Sequence, residues 1–374
     1  MKVQHCLIRS IPYFVLVVGS LGLASVTPTR SQRLKEIPKC LQPKDLLERV
    51  GQHTSDAGLS SLVLIRLSKQ LLSENNRNPG TVSGDSTDRD ILTRVVECLG
   101  EQSASLEDRV EGTKACAIIS RLLQDSQLAG CADSLWTRSP SISLEDIDPH
   151  HVSGLSWAYD TFNLLTKSIE APPSLRNARK ALNLPFQIYP GFVQDLPELS
   201  VSALEAQVDF RSDDIRTTAT NRVIKERRLT AWEGDESVAP FAYSGKCMDR
   251  ADWSPLVRQV RDQLACRTDQ YYDGCLLNLY PNGVSGMRYH IDPDQGTLWD
   301  FDTAVVSVGA ARRFSFREIP PSDAQPHNFV VFHGDVTYMF ADCQQKYQHT
   351  VKKADNKREP SSRASLVFKR TWKG

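Results

Sequence analysis

The chain has 374 residues, 40% hydrophobic and 24% charged, enough material for about two globular domains. Lys+Arg and Asp+Glu both number 45, and from residue 184 onward the counts are 24 against 25, so bulk charge gives no support to nucleic-acid binding. The nine cysteines are odd in number, scattered from Cys6 to Cys343, and contain no C-x-x-C pair, which argues against a zinc finger and a disulfide framework and predicts mostly buried thiols.

Residues 1–35 have the pattern of a targeting peptide. Lys2 and Arg9 precede an apolar run from Ile11 to Leu23, small residues follow at Ala24 and Ser25, and no acid occurs before Glu36. The run is short for a bilayer span, so a cleaved peptide fits better than an anchor, and no stable membrane insertion is expected in the mature protein. Its basic, hydroxyl-containing continuation suits delivery to an organelle, a plastid or a mitochondrion, with the secretory pathway as the alternative.

Residues 36–170 have apolar positions at helical spacing: Leu59, Leu62, Val63, Leu67 and Leu71; Ile91, Leu92, Val95, Val96 and Leu99; Ile118, Ile119, Leu122 and Leu123; Leu155, Trp157, Ala158, Phe162 and Leu165. The segments Gly58-Leu59-Ser60-Ser61-Leu62 and Gly154-Leu155-Ser156-Trp157-Ala158 are self-similar. They resemble the octatricopeptide type of organellar helical-repeat RNA-binding proteins; a plain helical bundle is the other reading. His150-His151 is expected as a surface pair in a loop. Ala171-Pro172-Pro173-Ser174 ends the helical region, and 171–183 is expected as a linker.

From residue 184 the pattern changes. Trp253-Ser254-Pro255-Leu256 opens an amphipathic helix through Val260 and Leu264, and its aromatic residue is expected in the core. Short β-rich runs with turn signals follow from Gly274. Within them lies His290-Ile291-Asp292. Residues i and i+2 of an extended strand project to one side, and two imidazoles with one carboxylate form the facial triad of a non-haem Fe(II) oxygenase. The third ligand must come from a distant strand, and His349 in Tyr347-Gln348-His349-Thr350-Val351 supplies it. Arg363, further on, offers a planar fork of donors for a carboxylate. His327 and His333, in turn contexts, are read as non-ligands.

These pieces, with Asn278-Leu279-Tyr280 before them, Arg228 to Asp235 and Phe241-Ala242-Tyr243-Ser244-Gly245 upstream, and His333-Gly334-Asp335 downstream, resemble the AlkB-type family of Fe(II)- and 2-oxoglutarate-dependent dioxygenases over about residues 184–374. The resemblance implies an α+β chain: a double-stranded β-helix, or jelly roll, preceded by an all-α region. It implies Fe(II) on His290, Asp292 and His349, with 2-oxoglutarate and O₂ as co-substrates. Asn278, Tyr280, Arg363 and Lys369 would hold 2-oxoglutarate. The family closes with a second arginine six residues after the first; here that position is Lys369, which keeps the charge and loses the fork. Phe241 and Tyr243 would stack on a flipped base and Asp294 would accept from its exocyclic amine.

The implied reaction is oxidative removal of an alkyl group from a nucleobase of DNA or RNA, releasing succinate and formaldehyde. The alternatives are a protein side-chain hydroxylase, against which Arg363 speaks because prolyl hydroxylases use lysine there, and a non-catalytic RNA-binding protein, against which the intact triad speaks.

Overall fold

The computed structural model describes residues 57–77, 82, 86–99, 105–137, 147–216, 221–354 and 361–373. Residues 1–35, expected as a targeting peptide, lie outside them. Among the described residues, six helices precede the first strand of the catalytic half, and the first five are α1 (Ala57–Arg77), α2 (Ser86–Leu99), α3 (Leu106–Leu123), α4 (Ser126–Thr137) and α5 (Pro149–Thr166). The periodic apolar positions form their interior, with Leu62, Val63, Leu67, Val95, Val96, Ile119, Leu155 and Phe162 all buried. Helix α3 starts at Ser105, whose hydroxyl accepts from the Asp108 amide at 3.1 Å. It packs on α1 and α5.

Two local expectations change. Residues 171–183 are not an unstructured linker: α6 (Pro173–Leu182) occupies most of them and packs on α5. A proline at the first helical turn sacrifices only an N–H that has no intrahelical acceptor, so Pro172-Pro173 starts this helix instead of breaking the chain. His150 and His151 lie in the first turn of α5, not in a loop.

The catalytic half is a jelly roll of two facing sheets. Its strands are β1 (Phe186–Tyr189), β4 (Leu229–Gly234), β7 (Gly274–Tyr280), β8 (Thr303–Gly309), β9 (Arg312–Glu318), β10 (His327–Val331), β11 (Val336–Met339), β12 (Tyr347–Val351) and β13 (Arg363–Lys369). The larger sheet runs β1-β11-β8-β13-β7-β4 and the smaller β10-β9-β12, all pairs antiparallel. Two small hairpins, β2 (Asp214–Arg216) with β3 (Val223–Lys225) and β5 (Phe241–Tyr243) with β6 (Lys246–Met248), stand outside them.

Central strand β13 shows how alternation divides the domain. Ala364, Leu366 and Phe368 join Leu277, Leu279, Val306 and Val308 in a core backed by α7 (Val201–Gln207) and α8 (Pro255–Thr268). The alternate residues, Arg363, Ser365 and Lys369, therefore project from the other face of β13. Trp253 is buried beside Phe368, as the sequence pattern predicts.

Helices and jelly roll are joined by buried polar contacts. The Asn76 amide donates to the Ala311 carbonyl at 3.1 Å and accepts from its N–H at 2.9 Å. Arg121 pairs with Asp335 at 3.0 Å. Ser153 Oγ hydrogen-bonds His327 Nδ1 at 2.7 Å. His327 thus opens strand β10 and ties it to α5 instead of lying in a turn. His333 does lie in a turn, where its Nδ1 accepts from the Gly309 amide at 3.2 Å.

Of the cysteines whose environment is described, Cys116, Cys275 and Cys343 are buried, Cys131 is half-buried, and Cys247 and Cys266 are exposed. The expectation of mostly buried thiols holds for the strand and helix cores only.

Candidate active site

His290 and His349 face each other across an isolated antiparallel bridge, with reciprocal N–H···O=C bonds of 3.1 and 2.9 Å. His349 sits on β12, whose register against β9 places it opposite Phe316, and its ring stacks parallel to Phe314 at 5.8 Å. The pairing brings the two rings to 4.2 Å between centroids. Each Nε2 points at the same oxygen: Asp292 Oδ1 is 3.7 Å from His290 Nε2 and 3.5 Å from His349 Nε2. One donor atom from each residue lies within 4.8 Å of the others. The Arg288 carbonyl 2.9 Å from His290 Nδ1 holds the proton there and leaves Nε2 with its lone pair.

Protonation agrees with a metal-binding role. Burial pushes His349 down to about 3, with His290 adding to the fall, so the ring is neutral at physiological pH. Burial also lowers His290, against the pull of Asp292. Asp292 is pushed up by burial but held well below the usual carboxylate range by Lys369 and the two imidazoles. Two neutral imidazoles and one carboxylate are the donor set that suits Fe(II) with positions left open.

A second cluster within reach of one ion among the described residues is Asp148, His150 and His151. It occupies the N-terminal turn of α5, where the helix end is positive. Burial lowers both imidazoles, and Lys114 adds to the fall while Asp148 and Glu111 oppose it.

A further cluster, on β13 and its neighbours, has the chemistry to take an anion. Arg363 is 0% exposed and burial pulls its guanidinium down to about 10. It has no carboxylate partner among the described residues: Nη1 donates to Ser365 Oγ at 2.6 Å and Nη2 to Ser307 Oγ at 3.0 Å. Nε has no partner, and neither do the buried Asn278 Oδ1 and Tyr280 hydroxyl. The register explains their meeting: Arg363 is opposite Tyr280, and Ser365 is opposite Asn278 on one side and Ser307 on the other. A buried cation ringed by unmatched polar atoms is costly unless an anion completes it. Gly309, at φ +83° opposite Arg363, keeps the strand end open, since a Cβ there would lie 2.8 Å from the Ser362 carbonyl.

Lys369 has a different role from the one expected. Its Nζ lies 2.8 Å from Asp292 Oδ2, the oxygen turned away from the imidazoles. It braces the carboxylate ligand and does not reach the Arg363 cluster through any recorded bond. Arg370, on the next position, leaves that face and pairs with Asp300 at 2.7 Å.

The expected base-stacking residues also change. Phe241 is 1% exposed, packed among Trp232, Trp299 and Tyr243, and is core instead of a stacking face. Tyr243 is half-buried; its hydroxyl donates to Glu226, and Arg228 and Lys246 stand 5.3 and 5.6 Å from its ring centre. Asp294 is exposed in a turn at φ +58°, its carbonyl accepting from Leu298 and Trp299. The sequence reading missed Arg228, which raises the positive field at His290, and the serines Ser307 and Ser365. Counting two residues on from Arg363 along the strand would have found Ser365.

Comparison with known proteins agrees with this geometry. The sequence model of the 2OG-Fe(II) oxygenase superfamily matches residues 186–370. An uncharacterized protein of Acanthamoeba polyphaga mimivirus is 29% identical over 44% of this chain and 84% of its own length. The alpha-ketoglutarate-dependent dioxygenase alkB homolog 3 of Homo sapiens is 29% identical over 50% of this chain and 65% of its own length. The DNA oxidative demethylase ALKBH2 of Mus musculus is 26% identical over 38% and 61%. The chain therefore spans less than two thirds of these two animal relatives. A solved structure of OsALKBH1 covers 50% of this chain and 99% of that chain at 14% identity and a TM-score of 0.36, a likeness too slight to add to the fold described above. With the superfamily's sequence pattern on residues 186–370, a His-Asp-His cluster and a buried arginine, the chain belongs to the 2OG-Fe(II) oxygenases as an AlkB-like dioxygenase.

Proposed function

We propose that the protein demethylates N-alkylated bases of DNA or RNA. The observation that carries this reading is that one strand serves two clusters: β13 bears the buried Arg363, which has no carboxylate partner among the described residues, and also Lys369, which holds Asp292 of the His290–Asp292–His349 donor set. When bound, iron and 2-oxoglutarate supply the oxidising chemistry. The chain's own part is placement. His290, Asp292 and His349 fix the metal, Lys369 holds Asp292 in its ligating orientation, and Arg363, with Asn278 and Tyr280, takes the distal carboxylate of the co-substrate. The relatives' names, a dioxygenase and a DNA demethylase, support a nucleic-acid substrate.

So does the local surface. The β2–β3 hairpin carries Arg216, Arg222, Lys225 and Arg227 around two exposed aliphatic residues, Val223 at 57% and Ile224 at 45%. Its Arg216 N–H donates to the Ser244 carbonyl of the β5–β6 hairpin at 2.9 Å. The Arg227 carbonyl at its base accepts from Ser285 at 3.0 Å, five residues before His290. Cations in this arrangement meet phosphates while the aliphatic tip meets bases, which offsets the neutral total charge. With Phe241 withdrawn into the core, base contact falls to this hairpin, His290 and the exposed Ile291.

The test is incubation of the full chain with Fe(II), ascorbate, 2-oxoglutarate and methylated oligonucleotides. Succinate should form together with loss of the base's methyl mass. Succinate without demethylation would overturn the nucleic-acid substrate in favour of a protein side chain. We also propose that residues 1–35 direct the protein to an organelle; a fluorescent fusion of residues 1–40 that stays diffuse in the cytosol would refute it.

A further inference from the structure

We propose that the cavity between helices α5 and α6 and strand β1 is a second ligand site, taking an organic anion with an apolar body. The cavity encloses about 320 Å³, in the range of small-molecule sites. Its inner wall is aromatic and aliphatic: Trp157 from α5, Phe186 and Ile188 from β1, and Phe329 from β10. Its outer rim is cationic, formed by Arg176, Arg179 and Lys180 from α6.

Three features point to an anion. Trp157, which lines the cavity, is 3% exposed, and its buried indole N–H has no acceptor among the described residues. A buried donor of that kind normally has a partner, and a ligand acceptor reaching past this wall would supply one. Lys180 forms no ion pair with any described residue. Arg176 pairs with Glu170 at 2.8 Å only at the surface, with both side chains more than half exposed, so that pair is easily exchanged for another carboxylate or phosphate. The one acid on the wall, Asp160, is already matched by Arg179 at 3.1 Å. The remaining polar lining groups, Ser153, Ser156, Asn183 and Gln187, are uncharged, so the wall carries no unmatched negative charge.

The inner wall also adjoins the iron site. Phe186 stacks on Phe316 at 3.9 Å and 4°, and Phe316 lies 6.2 Å from the His349 ring. Phe186 also meets Tyr347, two residues before His349 on β12, edge-on at 5.2 Å. A ligand seated on Phe186 is therefore two aromatic layers, Phe186 and Phe316, from His349.

The probe is 8-anilinonaphthalene-1-sulfonate, an aromatic anion that fluoresces in apolar surroundings, titrated into the metal-free full chain. Saturable binding to one site is expected. Arg176→Gln with Lys180→Gln should weaken it about tenfold, the loss of roughly one charged contact. Trp157→Phe, which removes the donor and keeps the apolar wall, and Gln187→Trp, which fills the cavity, should weaken it too. Both glutamine substitutions lie on the exposed face of α6, so they test the site even if Trp157→Phe fails to fold. Displacement by adenosine monophosphate would assign an aromatic phosphate, and displacement by decanoate an aliphatic carboxylate. Failure to bind, or binding that none of the variants alters, would overturn the proposal.

Discussion

Arg363→Met separates the two roles an arginine can have at this position. Burial pulls the guanidinium down to about 10. Against an ordinary value of about 12.5 and about 1.4 kcal/mol per pH unit, holding that charge inside the protein costs about 3 kcal/mol. The sign is that of a base lowered on folding: the cost is in force at neutral pH and is relieved only as pH rises through 10. Methionine fills a similar volume without charge. It strands the hydroxyls of Ser307 and Ser365, each worth about 1 kcal/mol. The variant without co-substrate should therefore be more stable than wild type by about 1 kcal/mol, a rise in melting temperature of about a degree or two. Its co-substrate affinity should fall about 100-fold or more, since two charge-assisted hydrogen bonds of about 1.5–3 kcal/mol each are lost. Thermal unfolding of both proteins with Mn(II), with and without 2-oxoglutarate, reads both effects. A variant that melts several degrees low yet keeps the wild-type stabilisation by 2-oxoglutarate would refute the reasoning.

Three further outcomes follow from the same geometry. Asp292→Ala leaves the Lys369 ammonium buried and unpaired and should cost about 3–5 kcal/mol in urea unfolding, while adding Lys369→Met should recover much of that loss. Lys369→Met alone should weaken Mn(II) binding at least about tenfold by calorimetry, and Lys369→Arg should restore it, because the ammonium orients the far oxygen of Asp292. Arg121→Ala strands Asp335, whose value burial already raises against Arg121's pull. A carboxyl raised on folding binds its proton more readily in the native state, so stability lost at pH 7.5 should be partly regained toward pH 5 in urea titrations; a deficit that grows on acidification would contradict this.

The iron site was legible because its residues are constrained by chemistry and strand spacing together. His290 and Asp292 are two apart, His349 lies on the pairing strand, and no other arrangement of those three atoms serves one ion. The helical interior was legible for the same kind of reason, as a repeat of apolar positions such as Leu62, Val63 and Leu67. What spacing along the chain could not give was orientation at single positions. Phe241 and Tyr243 are two apart on one short strand, so spacing puts them on one face, and only the tertiary packing of Trp232 and Trp299 decides which of them is taken into the core. Lys369 likewise lies six residues from Arg363 on one strand face, but the strand's length carries it to Asp292 instead of to the serines. The helix at Pro173 was hidden because a proline pair at a helix start and a proline pair in a linker look alike in sequence.

The polar fastenings Asn76–Ala311, Arg121–Asp335 and Ser153–His327 have a practical consequence. Each places one half of a bond on the early helices and the other on a strand or turn near the iron-bearing sheet. Cutting the chain at about residue 184 would take the guanidinium from Asp335 and leave it only the Gly191 and Phe332 amides, bare the backbone of Ala311 and unroof the edge of β10. The helical layer is thus a structural wall of the oxygenase and not a detachable passenger. A trimmed catalytic half that proved inactive would say nothing about whether the intact protein is an enzyme.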